Sequence, residues 1–139
     1  MKTVLLFGTF DLLHAGHLNL FKQARKLGDK VIVIVARDVN VKKIKGELPL
    51  NSEKERLELL QHLDLIDQAV LGSKTQVYGI IKKIKPNVIA LGYDQAAFID
   101  SLQIKLAAFK LNPKIVRLKP YQAGSKKSSR LKKQLLKSV

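Results

Sequence analysis

Apolar positions along the chain recur with two periods, and the switches between them predict where strands and helices lie. Val4-Leu5-Leu6-Phe7 is a short apolar run and predicts a buried strand over Thr3 to Phe7. Leu18, Leu20, Phe21, Ala24 and Leu27 then recur at helical spacing, predicting a helix from Gly16 to Leu27 that Gly28-Asp29 ends. Val31-Ile32-Val33-Ile34-Val35 is a continuous β-branched run, expected of a central strand covered on both faces, over Lys30 to Ala36. Asn40 to Pro49 reads as a lysine-rich loop. Ser52 with Glu55 makes a capping-box pattern ahead of a helix to Leu63, whose Leu57, Leu60 and Leu63 turn inward. Ile66 to Leu71 is a third strand, and Gln76 to Lys85 a helix stopped by Pro86. Val88 to Leu91 is a fourth strand, Asp100 or Ser101 to Leu111 a helix, and Lys114 to Leu118 a fifth strand, with Ser125 or Ser128 capping a last helix.

Strands alternating with helices along the whole chain define the α/β class, with helices on both faces of a doubly wound parallel sheet. The 139 residues are the size of one domain, and neither a linker nor an internal repeat divides them. Residues 1–139 are therefore expected to form a single Rossmann-like domain. The start, MKTVLLFGTFD, reads as a strand and a motif rather than a signal peptide, and no apolar stretch has the length of a membrane span. A soluble, cytoplasmic protein is expected. The absence of cysteine excludes disulfides and thiolate catalysis and weighs against a structural zinc site.

Charge changes the picture more than composition does. The formal net charge is +15, which suits polyanionic partners, either nucleotides with several phosphates or nucleic acid. Much of it lies near the end, in Arg117, Lys119, Lys126, Lys127, Arg130, Lys132, Lys133 and Lys137. Leu131, Leu135 and Leu136 supply an apolar stripe, so part of that charge is a solvated helix face.

The chemistry is concentrated in Gly8-Thr9-Phe10-Asp11-Leu12-Leu13-His14-Ala15-Gly16-His17. This stretch falls at the first strand-to-helix turn, where a helix start offers N–H groups and a positive dipole end to an anion. His14 and His17, three residues apart at the mouth of a helix, fall on one side of it. Gly8 is expected to admit close packing against a ligand, and Gly16 to keep a Cβ away from a triphosphate. The alternative is that both histidines merely cap the helix through backbone bonds.

This stretch resembles the HxGH-type nucleotidyltransferases, which include cytidylyltransferases, phosphopantetheine adenylyltransferase and archaeal FAD synthases. Val35-Ala36-Arg37-Asp38, Lys42 to Lys45, Glu55-Arg56, Leu91-Gly92-Tyr93-Asp94-Gln95 and Ser128-Ser129 follow in the order of that family. The resemblance implies strand order 3-2-1-4-5, with the histidine turn and the Asp94 loop opening into one crevice at the switch point. It also implies that His14, His17 and Lys45 stabilise charge in the transition state. Thr9, Phe10, Ala15, Gly16, Asp94, Tyr121 and Ser128 would bind nucleotide, and Arg56 would meet the substrate phosphate. From the residues alone, Lys45 also reads as part of a solvated loop and Arg56 as a partner of Glu53 or Glu55.

Nucleotidyl transfer to a phosphate oxygen needs no general base, only donors and positive charge where negative charge gathers. The sequence has no dense carboxylate cluster, so no protein metal site is expected, and Mg²⁺ would be held mainly by the ATP phosphates. LGYDQ, VARD and VKKIKG, in a chain without tryptophan, resemble the archaeal FAD synthases and imply AMP transfer from ATP to FMN. Glycerol-3-phosphate cytidylyltransferase, or transfer to another small phosphoryl acceptor, is the alternative within the same chemistry. A nucleic-acid-binding domain fits the charge but is disfavoured by the scarcity of aromatics. Relatives of this size suggest a homodimer, and nothing points to a membrane partner.

Overall fold

The computed structural model describes residues 1–92 and 95–120, with residues 96–100 described by their backbone. The strands are β1 (Thr3–Gly8), β2 (Lys30–Val35), β3 (Gln68–Leu71), β4 (Val88–Leu91) and β5 (Lys114–Arg117). They form one sheet in the order β3-β2-β1-β4-β5, the expected order. Every pairing is parallel, with β1 in the middle beside β2 and β4. The helices are α1 (Ala15–Arg25), α2 (Asp38–Lys45), α3 (Glu53–Gln61), α4 (Gly79–Ile84) and α5 (Ala96–Phe109).

Successive strand residues face opposite sides of a sheet, so the apolar runs split into two cores. Val4 and Leu6 join Val31, Val33, Val35 and Ala90 under Phe21 and Ala24 of α1 and Leu60 of α3. Leu5 and Phe7 join Ile32, Ile34, Ile89 and Leu91 under Ile81 of α4 and Leu102 and Leu106 of α5. This double burial is why β1 and β2 read as unbroken apolar runs. Helix α3 starts as its sequence implies: Ser52 Oγ accepts from Glu55 N at 3.2 Å, and Glu55 Oε1 accepts from Ser52 N at 3.3 Å.

Several elements differ from the pattern reading. Asp38–Lys45, expected mostly as loop, is the helix α2. It buries only Val41, so its sequence carries no apolar stripe broad enough to mark it. Helix α5 begins at Ala96, well before Asp100. Helix α1 ends at Arg25, capped by Lys26, and Gly28 has another role. A Cβ on Gly28 would lie 2.7 Å from Val4 Cγ2 and 2.8 Å from the Lys2 carbonyl oxygen, so this glycine permits close chain approach.

Gly8 is constrained in the same way by the protein itself. A Cβ there would stand 2.6 Å from Cζ of Phe10, whose ring is buried against Phe21. Gly8→Ala is therefore expected to destabilise the fold by about 1–3 kcal/mol through overpacking, read as a lower urea midpoint at unchanged slope.

Candidate active site

The end of β1 turns sharply. Phe10 adopts a left-handed backbone, φ 54°, at a cost of about 1–2 kcal/mol for a residue with a Cβ. The turn drives its ring into the core, 5.5 Å from Phe21 and edge-on to His17 at 5.7 Å. Phe10, expected among the nucleotide-binding residues, thus serves as the floor beneath His17 and has only its main chain to offer a ligand.

His14 is the N-cap of α1, and its ring lies 4.1 Å from that of His17. His14 Nδ1 accepts from Gly16 N at 3.0 Å, and His17 Nδ1 accepts from His14 N at 3.3 Å. The two imidazoles together make a capping box of the kind usually built from Ser and Glu. Capping and chemistry, alternatives at first sight, are compatible in one geometry. A ring whose Nδ1 accepts from an amide carries its proton on Nε2, so the cap assigns the tautomer of both rings and makes Nε2–H the donor.

The same bonds revise the expected part of the helix amides. Gly16 N already donates to His14 Nδ1, and His17 N donates to the His14 carbonyl at 3.0 Å. The helix start therefore presents imidazole in place of those two amides. Thr9 contributes its carbonyl inward, accepting from Arg56 Nη1 at 2.8 Å.

Arg56 differs most from expectation. Its side chain is 0% exposed, and it pairs with neither Glu53 nor Glu55. Nη2 meets Asp38 Oδ1 at 2.6 Å, and Nε donates to the Asn51 carbonyl at 3.1 Å. Glu53 instead pairs with Arg37 at 2.7 Å and accepts from Asp38 N at 2.9 Å. Arg56 is thus buried among protein oxygens, joining the starts of α2 and α3 to the motif turn, and is not presented to a substrate phosphate.

Lys45 is the last residue of α2 and exposed, as are Lys42 and Lys43. Ala15 is exposed in the first turn of α1. Asp94, Tyr121 and Ser128 lie outside the described residues, as does Ser129. Beside Asp94, Gln95 ties the end of β4 to that of β1: its Oε1 accepts from Gly92 N at 2.8 Å, and its Nε2 donates to the Phe7 carbonyl at 3.0 Å. Gln95, Asp11 and Asn51 carry no site role that the sequence alone predicts. Asp11 stood inside the motif, and for Gln95 the sole sequence signal was its place in LGYDQ.

Among the described residues no three His, Asp or Glu side chains gather where they could hold a metal ion, and no helix is long and apolar enough to cross a membrane.

A parallel doubly wound sheet with an imidazole pair at the turn after its central strand defines the class, a Rossmann-like α/β domain with its histidines at the switch point where such folds bind ligands. The chain belongs to the cytidylyltransferase-like family, whose model matches residues 5–134. Within that family its relatives include the FAD synthase of Methanohalobium evestigatum, 48% identical over 85% of this chain and 77% of that one. The FAD synthase of Thermoplasma volcanium is 35% identical over 100% of this chain and 97% of its own. A solved structure described as a lipopolysaccharide core biosynthesis protein from Thermoplasma volcanium superposes with a TM-score of 0.80 at 38% identity, covering 87% of this chain and 98% of that one. A pantoate-beta-alanine ligase from Francisella tularensis, 21% identical with a TM-score of 0.57, shares the fold over 84% of this chain and 58% of its own.

Proposed function

We propose that this chain is an FMN adenylyltransferase, transferring AMP from ATP to FMN to give FAD and pyrophosphate. The acceptor is supported by the FAD synthases that match it over most of their length. The observation that carries the chemistry is the imidazole pair, each ring held through Nδ1 so that the proton resides on Nε2.

An FMN phosphate oxygen attacks the α-phosphorus of ATP. A new P–O bond forms as the bond to the α,β-bridging oxygen breaks, and pyrophosphate leaves with that electron pair. No proton need be removed from the nucleophile. Charge grows on the α-phosphoryl oxygens and the leaving group, and Nε2–H donors already fixed in place stabilise it without reorganising. Lys45 would add positive charge from the end of α2. Mg²⁺ would be held mainly by the ATP phosphates and would there neutralise part of their charge, while the histidine turn supplies hydrogen-bond donors. We propose a cytoplasmic location, where ATP and FMN are both available to it.

The test offers ATP or CTP against FMN or glycerol 3-phosphate and reads pyrophosphate. Release is expected with ATP and FMN together, accompanied by one FAD for each pyrophosphate. Release with CTP and glycerol 3-phosphate, and none with ATP and FMN, would overturn the acceptor and leave the transfer chemistry standing.

A further inference from the structure

Asp11 is the acidic residue of the histidine stretch, in a turn where a triphosphate is expected, and a bare carboxylate there would oppose phosphate binding. Its oxygens are engaged elsewhere. Oδ2 accepts from Leu50 N and Oδ1 from Asn51 N, each at 2.8 Å. Asn51 Nδ2 returns a bond to the Asp11 carbonyl. Partners so distant in sequence make this neither a local turn nor a cap. It is a dock for a separate segment.

That segment is fastened at its other end too. Ala36 N donates to the Gly8 carbonyl at 2.9 Å, and Asp38 is held to the turn through Arg56, which bonds Thr9. Residues 36–51 therefore form a strap tied at both ends to the turn that carries His14 and His17. Between the ties lies α2, with Lys42, Lys43 and Lys45 exposed on it. A cation on such a strap acts on a bound polyphosphate only when strap and turn keep a fixed relation, and an ångström of misplacement is costly in transfer chemistry.

We propose that Asp11 is a positioning residue: it docks the Leu50-Asn51 end of the strap so that Lys45 and the two imidazoles address the same polyphosphate. Its kinetic part rests on the transfer activity proposed above, whereas the docking itself does not. Asp11→Asn keeps the size but sets an NH₂ group against one of the two backbone amides it now accepts from.

In the intact chain, amide hydrogen exchange at Leu50 and Asn51 is expected to quicken by roughly tenfold or more in Asp11→Asn while that at Val33 stays unchanged. Asn51→Ala, which deletes one of the three bonds, should move the same amides less. Unaltered exchange at both amides in both variants would overturn the proposal whatever the activity. With ATP and FMN, Asp11→Asn should lower kcat about ten- to a hundredfold with unfolding temperature nearly kept, and should have little further effect in a Lys45→Ala background. Losses that multiply, a Lys45→Ala variant with normal turnover, or rescue of Asp11→Asn by added Mg²⁺ would each overturn it, the last by making Asp11 a metal ligand. Wild-type protein that makes no FAD would sink the assigned reaction and leave the exchange result to decide the docking.

Discussion

Alanine at His17 is expected to slow AMP transfer by about a hundredfold or more, the scale of deleting one preorganised donor at a developing charge. The structure supplies a cleaner companion to that experiment. His14 is the N-cap of α1 through Nδ1, and asparagine is among the best N-cap residues. His14→Asn should therefore keep the helix start capped, with stability within about 1 kcal/mol of the parent, while removing Nε2–H and the charge stabilisation it provides. A merely structural histidine would show the reverse, with turnover surviving the change. Single-turnover rates with ATP and FMN, measured beside urea unfolding, distinguish the two. Near-normal turnover in either variant would remove that imidazole from the reaction.

The parts of this molecule legible in its sequence are those written as local periodicity. Val4 to Phe7 and Val31 to Val35 are unbroken apolar runs because each strand feeds two cores, and Ser52 with Glu55 announces α3 within four positions. Helix α2 is not legible in the sequence because it has one buried residue and is held by its ends rather than by a face. The histidine stretch pointed to phosphate chemistry, but not to two rings that cap their helix through one nitrogen and carry their proton on the other. Contacts that cross the chain left no pattern at all. Asp11 meets Asn51, Gln95 meets the Phe7 carbonyl, and Arg56 turns from its neighbouring glutamates to Asp38, pairings that exist only once β1 lies between β2 and β4 and the helices pack on the sheet.

Arg56 decides whether the strap and the motif turn are one structural unit, and its replacement should be the most damaging to stability. Its side chain is fully buried, with Asp38, the Asn51 carbonyl and the Thr9 carbonyl as acceptors. In Arg56→Met the two carbonyls lose a donor. Asp38 is left beside Glu53, and among the described residues Arg37 is the cation still bonded to Glu53 of that acidic pair. Breaking a fully buried ion pair costs roughly 3–5 kcal/mol, and because the Asp38 side chain is 29% exposed the lower end applies, about 3 kcal/mol. For a chain of this size that corresponds to a fall in Tm on the order of 10 °C. Arg56→Lys should recover part of this loss, since one ammonium cannot reach three acceptors in the guanidinium's fork. A phosphate ligand would behave oppositely: lysine would leave Tm in place and raise KM for a substrate. Thermal unfolding of both variants separates the roles, and an Arg56→Met protein as stable as the parent would show that the buried guanidinium does not join α2 and α3 to the motif turn.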